Sequence, residues 1–500
     1  MAETTHGDGS PTPENVAGLI EHVSLRGGIT AELVDGQLVM IDDHVQSRVS
    51  VSDPAMAAVA QALIDGGSDE DSLFVLALEH GGADAAMPLS LMMRRLEAGG
   101  WLRFSVRNTA GYEVVAVEPR GHQSTPLSRR AAASSVLLVD EHAITRWQDG
   151  VVLAESPHSN FDLVIADVSY LTVLFSFGAG TSVDNVAASH GLDTASLALV
   201  ASAALRCGAL RFADQQSPEG SGLWNLPDLW FHTMSRVGIH RGGYGGTYHL
   251  ENVLEPEPAV RPPFGELIAF DPLDPATVGH DDPPFGDVVR ARASVRAHDD
   301  NQPITSTQLG ELLGRVGLVR EVLHDGHQEL SFRQVPSGGA AHELEIYPLV
   351  HSCFGLDAGL YHYDAGRHGL ELIRPADPHT RLLLEYSQRT SIMDSPPQVT
   401  LLIAARFARA MWKYESMAYA LILKHVGVMY EALYLTSTAM GLACCGLGGG
   451  NAQAFASASG LPALVEGSVG EFVVGSRSQT LVDDSPLAFT TSRLPNKRIE

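Results

Sequence analysis

Between Met411 and Leu442 the chain reads MWKYESMAYALILKHVGVMYEALYLTSTAMGL. Ser416 stands where it can cap a helix, and the residues after it are apolar nearly all round. A helix of that kind belongs at the buried centre of a domain, so the rest of the chain must supply a core around it. Composition permits this, because 45% of the 500 residues are hydrophobic, and a length of roughly three domains at about 150 residues each follows. Disorder and a fibrous fold are excluded for the chain as a whole. Lys plus Arg (33) against Asp plus Glu (59) gives a net charge of -26, which repels a phosphate backbone unless basic residues cluster locally. General nucleic-acid binding is therefore not expected. Apolar runs such as Leu197 to Leu205 stop at Arg206 or at glycines, short of the ~20 residues that cross a bilayer. Met1 to Asn15 has neither the basic start nor the apolar core of a signal peptide, so a cytoplasmic protein without a membrane span is expected. The 4 cysteines include the adjacent Cys444 and Cys445 without CxxC spacing, and read as small buried side chains.

Along the chain, residues 1–20 read as a frayed tail. In residues 21–120, apolar alternation over Ala31 to Met40 and Arg48 to Val51 breaks at Asp35-Gly36, a hairpin signal. Helical spacing follows over Pro54 to Leu63, Leu73 to Leu78 and Leu89 to Glu97, stopped by Gly99-Gly100 before strand patterns at Trp101 to Val106 and Tyr112 to Val117. That order resembles a winged helix. Residues 131–215 repeat it, with strands around Asp149-Gly150, helices at Tyr170 to Phe177, Val183 to Ser189 and Thr194 to Cys207, and GALRF echoing the earlier GGWLRF. The third helices carry only Arg94 and Arg95 in one copy and Arg206 in the other, too little cation for DNA. Peptide docking by strand addition is the better use of such modules. Residues 216–287, rich in Pro, Gly and His, form a connector, and residues 288–500 turn to mixed helices and strands.

Arg290, Arg292, Ser294 and Arg296 place three guanidiniums and a hydroxyl within a few residues, ahead of a helix that Thr305 or Ser306 can cap. Guanidinium binds phosphate oxygens bidentately and a serine adds a hydrogen bond; a solvated basic face has the same spelling. Pro336-Ser337-Gly338-Gly339-Ala340 is a turn with almost no side chain before the strand Glu343 to Tyr347, open to close approach by a planar ligand or simply a connection. Lys413-Tyr414 precedes the apolar helix, where an ammonium can draw a phenol down from its ordinary value of about 10 toward acid/base use, or can stand exposed beside a packed ring. His425 reads as a satisfied core histidine, and no HExxH or Cys/His cluster announces a metal. After the helix, GLACCGLGGG offers backbone N–H groups to a ring carbonyl, without the form of a Rossmann loop, a P-loop or a GxSxG elbow.

RxRxSxR, PSGGA before a strand, WKY before the apolar helix and ACCGLGGG after it, in that order, resemble the nitroreductase superfamily. More closely they resemble its SagB-type branch, the FMN-dependent azoline dehydrogenases of thiazole/oxazole peptide biosynthesis, which includes cyanobactin oxidases. The likeness covers about Leu223 to Ser476, with LWNLPDLWFHTMSRVG similar to the family's lead-in. It implies an α+β fold, in which a nitroreductase-like three-layer α-β-α catalytic domain is preceded by two winged-helix-like modules. Arg292, Ser294 and Arg296 match the FMN phosphate positions, with Ala293 replacing a frequently basic neighbour and Arg290 a substitute for it. Pro336, Ser337, Gly338 and Gly339 match the turn beside the flavin, and Gly446, Leu447, Gly448 and Gly449 the loop near its ring. Lys413 and Tyr414 match the pair that azoline-oxidising members use in proton transfer, and Arg493 resembles a C-terminal phosphate contact. The implied activity is oxidation of thiazoline or oxazoline rings in a ribosomally made peptide, with no metal. The implied partners are the precursor peptide, a cyclodehydratase and a second copy of the chain. An NAD(P)H-dependent FMN nitroreductase or quinone reductase, and a flavin-free scaffold, are the alternatives.

Overall fold

A computed structural model of the chain describes residues 18–42, 45–122, 130–216 and 219–478. They form two compact units, Met1–Tyr244 and Gly245–Glu500, and the division lies within the Pro-, Gly- and His-rich stretch.

In the first unit, Thr30–Val34 and Gln37–Ile41 pair antiparallel through Asp35 and Gly36, whose φ values of 49° and 72° are those of a two-residue hairpin turn. Helices Pro54–Ile64 and Glu70–Gly81 start at Asp53 and Asp69, whose carboxylates accept the first free backbone N–H groups. Helix Ala86–Ala98 ends at Gly99-Gly100, and strands Leu102–Arg107 and Glu113–Pro119 follow. The second pass has the hairpin Ile144–Gln148 with Val151–Glu155, strand Phe161–Ile165, helices Ser169–Phe175, Val183–His190 and Thr194–Arg206, and strand Leu210–Phe212. The two passes share one sheet. Glu113–Pro119 of the first pairs with Phe161–Ile165 of the second, giving a 6-stranded sheet, and one apolar core runs from Leu19 to Leu210.

The second unit is built on a 7-stranded antiparallel sheet in the order Leu267–Ala269, Gly369–Pro375, Gly359–Asp364, Leu344–Val350, Val399–Arg406, Glu466–Gly475, Ala443–Leu447. Alternation along Val399–Arg406 sends Leu401 and Ile403 to one face and Leu402 and Ala404 to the other. Helices Ser306–Gly317 and Ala418–Ala439 cover the first face, and Pro378–Ser391 with Ala452–Ser459 cover the second. The result is three layers, α-β-α. Of the two candidate caps, Thr305 starts the Ser306–Gly317 helix, exchanging bonds with Gln308 in a capping box.

Two expectations for the apolar helix are corrected. Met417, not Ser416, occupies its N-cap position, because Ser416 is turned into the left-handed region at φ 60°. Nor is the helix buried all round: Ile422, His425, Val426, Met429, Leu433 and Ser437 are buried, while Tyr419 and Leu423 are 40% and 37% exposed and Lys424, Gly427 and Glu431 are exposed. One face packs on the sheet, and the other meets no layer among the described residues. No described helix is long and apolar enough to cross a membrane.

Thr305→Ala removes a capping bond from a helix in the main core and should cost about 1 kcal/mol, read as reduced amide-exchange protection at Thr307, Gln308 and Leu309.

Candidate functional site

The PSGGA turn is pinned from beneath. The Gly338 N–H donates to His425 Nε2 at 2.7 Å, and His425 Nδ1 lies 2.7 Å from a carboxylate oxygen of the buried Glu343. Ser337 Oγ accepts the N–H of His342 at 3.0 Å, closing the turn on itself. Burial pulls the His342 imidazole down to about 3, with Arg333 adding to the effect. Gly339, Ala340 and His342 all have positive φ (58°, 53° and 44°) around a right-handed Ala341, so the segment is a strained turn held by these bonds.

The exposed Cα of Gly339 is faced by both members of the Lys-Tyr pair. A Cβ placed there would lie 2.5 Å from Tyr414 Oη and 2.9 Å from Lys413 Nζ. The pair is itself well anchored. Trp412 is buried and donates its indole N–H to Leu254 O at 2.7 Å, Tyr414 and Glu415 pair with Gly246 and Gly245, and Lys413 Nζ sits 5.1 Å from the Tyr248 ring centre. Any side chain at Gly339 would push the tips of Tyr414 and Lys413 aside, so glycine is what lets this ammonium and this phenol come up to the turn.

A second cluster gathers around Tyr434. Its hydroxyl accepts the Gly446 N–H at 2.7 Å and lies 2.9 Å from Ser294 Oγ, while the Arg292 guanidinium lies over its ring at 5.3 Å. Arg292 is exposed, and among the described residues its guanidinium makes no hydrogen bond or ion pair. Arg290, by contrast, is engaged by Asp287 in an exposed pair, and Arg296 is partly buried. Leu447 is buried with its carbonyl taken by Tyr430 Oη at 3.1 Å, whereas Gly448 and Gly449 are exposed, with open space where a side chain would stand. Next to them a Cβ on Gly450 would collide with the Glu471 carboxylate. Burial pushes that carboxyl up to about 7 from the ordinary 4.5, against a lowering hydrogen bond from Ser468.

The structure thus brings Gly338 and Gly339 together with Lys413 and Tyr414, and Ser294 and Arg292 together with Gly446. Both clusters hang on the Ala418–Ala439 helix, one at His425 and one at Tyr434. Nine residues are two and a half turns, so the clusters leave the helix on opposite flanks, about 14 Å apart along its axis. Pro336 is exposed at the start of its turn, and Arg493 lies outside the described residues. Sequence reasoning missed Tyr430, Tyr434, Glu343 and Glu471 as supports. Tyr430 and Tyr434, four apart and hence on one flank, were the available signal; a carboxylate in an apolar strand was the signal for Glu471.

A three-layer domain whose rim offers an unpaired guanidinium, a hydroxyl and bare glycine backbone has the donor chemistry to hold an anion and a planar ring. The nitroreductase family pattern matches residues 289–476. MJ1384 of Methanocaldococcus jannaschii, which carries a nitroreductase name, is 30% identical over 162 residues, 32% of this chain and 77% of MJ1384. The chain belongs to the nitroreductase family, a family of oxidoreductases. It is also 32% identical over 113 residues to the trifolitoxin-processing protein TfxB of Rhizobium leguminosarum bv. trifolii, 22% of this chain and 30% of TfxB. Among solved structures, the E. coli microcin synthetase McbBCD complex with truncated pro-MccB17 bound is similar at 20% identity and TM-score 0.33, covering 46% of this chain and 82% of that one. The LWNLPDLWFHTMSRVG segment precedes the matched span and lies in the first unit, where Trp230 donates its indole N–H to His142 O at 2.9 Å.

Because the folded state holds the Glu471 proton, its contribution to stability is present below pH 4.5 and is lost as pH rises through about 7. Glu471→Gln should leave stability unchanged at acid pH and raise it on the order of 3 kcal/mol at pH 8, measured by denaturant midpoints across pH.

Proposed function

We propose that the chain is a SagB-type, FMN-dependent oxidase that converts thiazoline or oxazoline rings of a ribosomally made peptide to thiazoles or oxazoles. The observation that carries this reading is the convergence of Tyr414 Oη and Lys413 Nζ on Gly339, since an acid/base pair beside an open turn is more than flavin binding requires. The likeness to TfxB, a protein named for processing a toxin, supports it.

The residues present fit FMN. Arg292 and Ser294, with Arg296 close by in sequence, would hold the phosphate; the exposed backbone of Gly448 and Gly449 and the Gly338–Gly339 turn would accept the ring. Aromatising an azoline removes a proton from one ring carbon and a hydride equivalent from its neighbour, and FMN, when bound, supplies the two-electron acceptor. Tyr414 acts as the phenolate, its own proton having gone to solvent with the Lys413 ammonium holding the negative charge, and its Oη then takes the ring proton. Dioxygen is the terminal electron acceptor in this reading.

The two clusters, on opposite flanks of one helix whose outer face carries exposed Tyr419 and Leu423, favour a homodimer whose paired sites form where the copies meet. The first unit, with its repeated winged-helix-like pattern, docks the precursor peptide. Its sheet ends on the edge strands Ile20–Leu25 and Ile144–Gln148, the latter with Trp147 exposed, and an edge can accept a guest strand. A cyclodehydratase of the same pathway supplies the azoline.

Purified protein should be yellow and should convert an azoline peptide to a product lighter by two hydrogens. Tyr414→Phe and Lys413→Ala should each lower that conversion on the order of 100-fold while flavin absorbance is kept. Full conversion by both variants would overturn the assignment. Rapid bleaching by NAD(P)H without peptide would instead favour the nitroreductase or quinone reductase reading, and protein colourless after incubation with excess FMN a flavin-free scaffold.

A further inference from the structure

Three side chains that no linear motif announces meet in the first unit. Asp140 follows strand Val136–Val139, His142 lies in the turn before Ile144–Gln148, and His158 lies in the turn between Val151–Glu155 and Phe161–Ile165. One carboxylate oxygen and one nitrogen from each ring all lie within 4.8 Å of one another. The main chain holds all three residues in place. Asp140 N–H donates to Ala209 O at 3.0 Å, His158 N–H to Ser156 Oγ at 3.2 Å, and Asp140 Oδ1 accepts His142 N–H at 2.9 Å. His142 Nδ1 stands 4.0 Å from that same oxygen, too far for a hydrogen bond, and the two imidazoles meet edge to face with centres 5.4 Å apart.

The His142 side chain is only 9% exposed, and among the described residues its ring nitrogens take no hydrogen bond. Its ring nitrogens reach solvent, and a nitrogen that protein leaves unused, set within reach of a carboxylate oxygen and a second imidazole, is available as a ligand atom for a metal ion. Two imidazoles and one carboxylate suit a first-row divalent cation, zinc above all, whereas calcium and magnesium require oxygen donors. Tetrahedral zinc at about 2.1 Å sets its donors about 3.4 Å apart. The widest separation must close by up to about 1.4 Å, which rotation of the exposed His158 side chain can supply.

We propose that Asp140, His142 and His158 bind a divalent first-row transition cation, with a fourth position left to solvent. The cation would clip the turn after Val136–Val139 to the turn between Val151–Glu155 and Phe161–Ile165, and so brace the second pass of the first unit. This site is independent of the Lys413–Tyr414 chemistry.

Full-length protein is stripped with a chelator and titrated with Zn²⁺ against a chromophoric competitor, and separately with Fe²⁺ without oxygen and with Mg²⁺. Wild type should take up ~1 Zn²⁺ or Fe²⁺ per chain, ignore Mg²⁺, and unfold at a higher temperature when loaded. His158→Ala, at an exposed position, and Asp140→Asn, which keeps the acceptor for the His142 N–H, should each weaken binding by more than the 10–100-fold that loss of a supporting hydrogen bond costs, with flavin content unchanged. Absence of saturable binding at micromolar free metal, or binding undiminished in both variants, would overturn the proposal.

Discussion

A buried imidazole between a carboxylate and a backbone N–H is the contact on which the rim of the second unit depends. His425 accepts from Gly338, so Nε2 must carry its lone pair and Nδ1 its proton, which then points at Glu343. Both side chains are withdrawn from water, and a group so placed is expensive to leave unpaired. The pair therefore fixes both the height of the Gly338–Gly339 turn above the helix and the direction in which its left-handed residues run. Tyr414 and Lys413 then close on that turn from the other side.

The same helix does a second job with chemistry of a different kind. Tyr434 and Tyr430 use their hydroxyls as rivets: one holds Gly446 and Ser294, the other the carbonyl of Leu447 and the N–H of Glu471. Each phenol reaches across from the Ala418–Ala439 helix to satisfy the backbone of the last two strands. Gly448 and Gly449, two residues beyond the last rivet, are left exposed without a side chain. Rigidity next to bare backbone is what a binding loop needs, since ordering it later would cost conformational entropy.

The first unit shows a different economy. Two passes of a similar pattern share a sheet because Glu113–Pro119 and Phe161–Ile165 each have an edge free to pair, and joining them removes two exposed edges at once. Arg120 and Asp162, both buried, pair at 2.6 Å beside that junction, with Arg241 on the same carboxylate. Such a pair adds little net stability, but breaking it would strand a charge in the core.

Local chemistry was legible in the residues themselves. Asp35-Gly36 and Asp149-Gly150 turn where such pairs must, Thr305 caps because of Gln308 three residues on, and Gly99-Gly100 stops a helix; each outcome depends on neighbours a few residues away. The likeness of RxRxSxR, PSGGA, WKY and ACCGLGGG to one superfamily was also readable in order. What lay beyond the sequence was every contact between distant residues. The apolar run after Ser416 predicts a central, buried helix without showing its exposed face, because hydropathy reports a preference for leaving water, not whether a layer stands opposite. Asp140, His142 and His158 carry no spacing signal because their meeting depends on how two turns lie side by side. Periodicity and capping are properties of a helix or a turn taken alone, and sequence determined those; which flank of the Ala418–Ala439 helix faces Ser294 and which faces Gly338 is set by packing against the sheet, and only the tertiary structure decided that.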